Sequence, residues 1–128
     1  MSPIPEFQQR QIERWCARHV PDRLRDEVRV ECRRRGRSVT VLERRAGTPG
    51  ATVGQWTERP VAQLRYGEDG HWTLYWADGD DRWHSLPWNP RDRTLVPLLA
   101  EIDRNPAGLF WGEGTALAAG SVRSDTRS

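Results

Sequence analysis

The chain has 128 residues and a net charge of +2, and every one of its 20 basic residues is arginine. Without lysine there is no Schiff-base chemistry, no pyridoxal phosphate anchor, no Walker-A phosphate lysine and no kinase-type lysine. The length fits one domain. An apolar share of 36% and a mean hydropathy of −0.82 imply a small core in which the seven tryptophans supply much of the area.

The spacing predicts a helix over residues 5–19. Pro5 suits its first turn, Glu6 its positive end, and Pro21 closes it. Phe7, Ile12, Trp15, Cys16 and Val20 approximate an apolar stripe, and Arg10, Arg14 and Arg18 line up on another face. Residues 22–26 read as a turn or helical bend. A hairpin follows: Val28, Val30 and Cys32 alternate with charged residues, Arg34-Arg35-Gly36-Arg37 turns the chain, and residues 38–45 return it. Residues 46–55 read as a loop.

A third strand spans about 56–66, and Pro60 within it argues for an edge position or a bulge. After the turn Gly67–Gly70, residues 71–76 are the clearest strand, with Trp72, Leu74 and Trp76 on one side. Ala77-Asp78-Gly79-Asp80-Asp81 turns into a fifth strand over 82–86. The last helix covers about 94–104, with Thr94 as its N-cap and Leu95, Leu98, Leu99 and Ile102 as its stripe. Leu109-Phe110-Trp111 is expected to fold back on the sheet, and residues 113–128 to be disordered.

Together these elements predict an α+β fold. A five-stranded antiparallel meander is flanked by an N-terminal and a C-terminal helix packed on one face, as a single domain over 1–112. Neither an apolar span nor a signal peptide is expected, and the protein is read as cytoplasmic. Cys16 and Cys32 lack metal-ligand spacing and scaffold density, so two buried reduced thiols are expected.

Several separated runs carry a family resemblance: Ile4-Pro5-Glu6-Phe7-Gln8, Gln11-Ile12-Glu13-Arg14, Glu43-Arg44-Arg45 and Pro60-Val61-Ala62-Gln63. Trp72-Thr73-Leu74-Tyr75-Trp76, Arg82-Trp83-His84, Leu99-Ala100-Glu101-Ile102-Asp103-Arg104 and Phe110-Trp111-Gly112 complete it. Over about residues 3–112 the chain resembles the bacterial family catalogued as domain of unknown function 3024. The resemblance implies a small cytoplasmic bacterial protein with no assigned activity and carries over no catalytic residue.

The charge is uneven: 12 arginines against 7 acids in residues 1–45, then 8 against 11. A lysine-free composition follows from a genome rich in G and C, so the content lies in where the arginines fall. Arg10, Arg14 and Arg18 on the helix and Arg33, Arg34, Arg35, Arg37, Arg44 and Arg45 on the hairpin offer planar donor forks that suit phosphate and stack on bases. Trp83 and Trp88, with Trp56, lie at element ends where an exposed indole would serve binding, or pack on the helix layer. These residues read as a non-enzymatic binding module whose partner is a polyanion, foremost nucleic acid. An ordinary solvated face is the plain alternative.

A protein-interaction or adaptor domain using Trp83, Trp88 and the Pro60 strand as a free edge is the second functional reading. The third is a metal-dependent hydrolase built on His71, His84, Asp78, Asp80 and Asp81, although Asp-Gly is simply a hairpin sequence. No catalytic residue, metal site or cofactor is assigned. Cys16 beside His19 lies on the apolar stripe, where a thiol is inert.

Overall fold

Period-two alternation from Val28 to Ser85 builds one sheet, and 3.6-residue periodicity at either end supplies the helices that cover it. The computed structural model describes residues 3–20, 27–46, 56–88 and 90–111. Helix α1 is Glu6–Arg18, and the strands are β1 Val28–Arg35, β2 Ser38–Ala46, β3 Trp56–Tyr66, β4 Trp72–Ala77, β5 Trp83–Ser85 and β6 Arg91–Asp92. Helix α2 is Val96–Arg104. The sheet order β1-β2-β3-β4-β5 follows the chain, and every neighbouring pair is antiparallel. The fold is therefore the expected α+β meander. The short β6 also pairs with β4, through Trp72 and Asp92, so β5 and β6 share one edge of that strand. The expected bend at 22–26, the loop at 47–55 and the tail at 113–128 lie outside the described residues.

Directly paired residues share a face. Cys32 opposes Val41, Val39 opposes Leu64, Val41 opposes Ala62, Leu64 opposes Leu74 and Tyr66 opposes Trp72. Val39, Val41, Leu64, Trp72 and Leu74 from this inner face join Ile12 and Trp15 of α1 and Leu98, Leu99 and Ile102 of α2 in one buried cluster. Phe110 and Trp111 are also fully buried in it, as expected for a segment that folds back.

The turns explain why the strands end where they do. Gly36 takes φ 60° between β1 and β2, a conformation that costs glycine little. Asn105 ends α2 in the left-handed region, and its Oδ1 accepts the N–H groups of Phe110 and Trp111, each at 2.9 Å. Its backbone N–H caps the helix on the Glu101 and Ile102 carbonyls, while its side chain pins the returning segment.

Four expectations are corrected. Phe7 is 70% exposed, and Gln8 takes the buried place beside Ile12. The reason is that residue 8 sits one turn before Ile12 on the same face, while residue 7 is rotated away. Leu95, not Thr94, is the N-cap of α2. Thr94 instead gives its N–H and hydroxyl to Asp92 Oδ1, and Pro97 keeps its place in the first turn.

Pro60 does not lie on an edge strand, since β3 sits between β2 and β4. It takes the other expected setting, the bulge where the register shifts between Val41 and Leu42, and it opposes Leu42. That segment precedes the part of β3 paired with β4, which starts at Ala62, so its missing N–H disturbs no ladder there.

The fourth correction concerns the cysteines. Cys16 of α1 and Cys32 of β1 form a disulfide with a Cα–Cα separation of 6.6 Å, within normal disulfide reach. Helix packing brings together two thiols that sit on separate elements in the sequence. Such bonds are uncommon in a reducing cytoplasm. No helix among the described residues is long and apolar enough to cross a membrane.

Polar joints tie the layers. Trp72 Nε1 donates to Gln8 Oε1 at 3.0 Å, and Gln8 Nε2 donates to the Arg93 carbonyl at 3.1 Å. Trp15 Nε1 donates to Asp103 Oδ2 at 3.2 Å, and Trp111 Nε1 to the Ile102 carbonyl at 3.1 Å. Buried Glu43 accepts from Arg45 and Arg59, both at 3.0 Å, and Arg59 also donates to the Phe110 carbonyl.

Gln8→Leu strands the Trp72 indole and the Arg93 carbonyl, and should destabilise the fold by about 1–3 kcal/mol in urea denaturation. Combined with Trp72→Phe, which removes the indole donor, the loss should fall short of the sum of the single losses. Denatured, unreduced protein should show no reactive thiol. Adding reductant should lower stability by about 3 kcal/mol, the entropy of a loop of this size.

Candidate functional site

The second face of the sheet is covered by no described element. Alternation assigns it Arg29, Glu31, Arg33 and Arg35 of β1, Arg44 of β2, and Trp56, Glu58 and Arg65 of β3. Across the remaining strands it continues through Thr73 and Tyr75 of β4, Trp83 of β5 and Arg91 of β6. Arginines outnumber carboxylates on it, and the two glutamates are held between cations. Glu31 accepts from Arg44 at 2.9 Å and from Arg33 at 3.4 Å. Glu58 takes both Arg33 nitrogens, and its Oε2 lies 3.4 Å from Arg44 Nε. The Arg33 hydrogen bond is the main reason that the Glu58 carboxyl is held below its ordinary 4.5.

Aromatic rings lie among these charges. The Arg29 guanidinium carbon is 4.6 Å from the centre of the Trp56 ring, and that of Arg44 is 5.7 Å away. The Arg65 guanidinium carbon is 3.9 Å from the Tyr75 ring centre. These distances are within cation–π range. Trp56 and Trp83 are half-buried, and Trp88, beyond β5, is 51% exposed.

The structure divides the arginines that the sequence grouped. Arg33, Arg35 and Arg44 share the uncovered face. Arg34 points to the helix side, where it donates to Gln9 at 2.6 Å and lines a cleft with Arg10, Glu6 and Glu13. Arg10 pairs with Glu6, while Arg14 and Arg18 are exposed on α1, across the sheet from that face. Arg37 sits in the β1–β2 turn, 3.9 Å from Glu68, and Arg45 turns inward to Glu43. Arg29, Arg65 and Tyr75 were missing from the grouped residues. Period-two counting along β1 alone puts Arg29 on the face of Arg33, whereas Arg65 and Tyr75 join it only once the β2–β3–β4 register is known.

Beneath α1 lies a second polar cluster. His19 stacks on Trp111, with ring centres 4.4 Å apart, and tilts against Trp15 at 4.8 Å. Its Nδ1 is 3.6 Å from Asp103 Oδ1. Burial pushes the imidazole below its ordinary 6.5; it outweighs the Asp103 carboxylate, and then Glu43, which pull the other way.

His71 and His84 do not converge. His71 precedes β4 and contacts Asp69, whereas His84 opposes Trp76 near the far end of that strand. The His84 hydrogen bond, at 2.6 Å, is the largest cause that pulls the Asp78 carboxyl down to about 2, followed by the Arg82 and Asp80 backbone N–H groups. Among the described residues no group of three or more His, Cys, Asp or Glu side chains is placed to hold a metal ion.

The model of the family described as Domain of unknown function (DUF3024) matches residues 1–112. The chain belongs to this family. Searches of curated proteins and of solved structures find no match. The match spans the uncovered face, the His19 cluster and every described strand and helix, so these are features of a DUF3024 chain rather than of an appended segment.

His19 supplies a pH test. Its folded value lies below the unfolded 6.5, so the unfolded chain binds more protons between the two values. Stability should fall as pH drops from 6.5 to the depressed value and level off below it. His19→Phe should remove that slope in denaturation curves, and an NMR titration should place the wild-type imidazole below 6.5.

Proposed function

We propose that this chain is a non-enzymatic nucleic-acid-binding module that holds its ligand on the uncovered sheet face. The supporting observation is the alternation that gathers Arg29, Arg33, Arg35, Arg44, Arg65 and Arg91 on one face with Trp56, Tyr75 and Trp83. Guanidinium forks grip phosphate in two-point fashion, and aromatic rings offer sequence-tolerant stacking. Glu31 and Glu58 do not repel a polyanion strongly, because Arg33 and Arg44 already neutralise them and fix their orientation. Arg35 and Arg65 have no carboxylate partner among the described residues, which leaves their charge for a ligand. The helix arginines are on the opposite side and play no part.

The test is fluorescence anisotropy of labelled DNA and RNA over a salt series. Affinity should fall linearly on a log–log plot, with a slope of about −0.7 per phosphate contacted on a single strand. The double substitution R35E/R65E should weaken binding at least about tenfold, since it reverses two unpaired charges on the face. R14E/R18E makes the same charge change on α1 and should leave affinity within about twofold. The opposite ranking would move the site to the helix.

A second reading, docking of a protein partner, draws support from Trp88, an indole 51% exposed. A partner that co-purifies with the wild type and is lost with Trp88→Ala would favour it.

A further inference from the structure

The uncovered face holds two separate arginine–aromatic platforms rather than a diffuse charge. At one end, the Arg29 and Arg44 guanidinium carbons lie 4.6 Å and 5.7 Å from the Trp56 ring centre. At the other, Arg65 stacks on Tyr75 at 3.9 Å. Arg65 is held there by a hydrogen bond from its Nε to Gln63 Oε1 at 2.6 Å, and Gln63 is fixed in turn by donating to Thr40 Oγ1 at 3.0 Å. This chain of bonds uses the inner nitrogen of Arg65. Its two outer nitrogens have no hydrogen-bond partner among the described residues.

We infer that the ligand of this face is a single strand of nucleic acid, whose unpaired bases stack on the Trp56 and Tyr75 platforms while the arginines hold the intervening phosphates. This rests on the nucleic-acid reading above. Three considerations favour a single strand.

First, a guanidinium placed over a ring adds a planar group on which a base stacks and donors that reach a phosphate. The platforms are assembled before any ligand arrives, so little ordering entropy is lost on binding.

Second, size excludes the bases of a duplex. Five strands about 4.8 Å apart make a sheet about 19 Å wide. The major groove is about 12 Å wide and admits a helix or a two-stranded ribbon. A duplex would therefore offer this face phosphates alone, leaving both platforms unused.

Third, the spacing suits several nucleotides. Trp56 and Gln63, the partner of Tyr75, are separated along β3 by about 20 Å, allowing for the bulge. Between the platforms lie Glu58, whose carboxylate Arg33 and Arg44 hold, and the uncharged Pro60, Leu42, Thr40 and Gln63.

The experiment compares labelled oligouridylate and oligothymidylate of increasing length with a hairpin duplex of matched charge, and uses polyglutamate as competitor. Single strands should bind at least about tenfold tighter than the duplex, with affinity rising until both platforms are reached. Tyr75→Ala should weaken single-strand binding about tenfold, the loss of one stacked base, whereas Tyr75→Phe keeps the ring and should retain the affinity. Circular dichroism checks that both variants fold. The uridylate and thymidylate arms separate RNA from DNA.

Equal affinity for the duplex would overturn the inference, as would full binding by Tyr75→Ala or equal competition by polyglutamate. In the first two cases loss of binding in R35E/R65E would still support the broader reading; equal competition by polyglutamate would make the face a general polyanion surface and overturn both. If no nucleic acid binds at all, both readings fail.

Discussion

The hydrogen bond from the Trp72 indole to Gln8 decides which side of the sheet is inside. Trp72 is fully buried on β4, and its donor has no access to water. A buried donor without a partner is costly, so α1 must lie where Gln8 reaches it. Gln8 then passes the constraint on through its own amide to the Arg93 carbonyl, ahead of α2. One side chain thus fixes the first helix, the sheet and the entry to the second helix relative to one another. The disulfide from Cys16 to Cys32 holds the same helix to the first strand.

The covered side is polar as well as apolar, and its polar groups are organised. Glu43 lies between Arg45 and Arg59, and Arg59 also grips the Phe110 carbonyl. His19 is enclosed by Trp15, Trp111 and Asp103. These groups connect α1, β2, β3, α2 and the returning C-terminal segment. In that setting arginines and a histidine act as internal fasteners. The same residue types on the other face have no layer above them among the described residues, and there they can act on a partner. Location, not residue type, separates the two roles.

The uncovered face draws its character from that division. With both helices committed to one side, alternation leaves arginine, tryptophan and tyrosine on the other, arranged as stacked pairs and ion-paired squares. Surface ion pairs contribute little stability. The Arg33, Arg44, Glu31 and Glu58 group matters more for orienting its guanidinium planes than for holding the fold. Guanidinium groups held beside aromatic rings are the feature on which the proposed nucleic-acid reading rests.

Much of this chain is local and therefore legible in its sequence. The strands and helices, the turn at Gly36 and the return of Phe110 and Trp111 follow from periodicity and from glycine, proline and asparagine placement. What failed was non-local. Gln8 replaced Phe7 inside because the tie to Trp72 spans 64 residues. Cys16 found Cys32 only because α1 packs on β1. For Pro60 the sequence left edge or bulge open, and only the β2–β3 register, which shifts opposite it, decided for the bulge. The nine grouped arginines also shared only their nearness in sequence, and pairing sent Arg33, Arg35 and Arg44 to one side, Arg34 and Arg45 to the other.

The amino-acid sequence by itself determined that lysine chemistry is absent, that the arginines are concentrated in the first third and that five strands alternate between two helices. Tertiary structure decided which of those arginines stand together and which aromatic rings they cover. Alternation says which residues of a strand share a face. Register and helix packing, made by contacts far apart in the chain, decide which face is buried and which is left to meet a ligand.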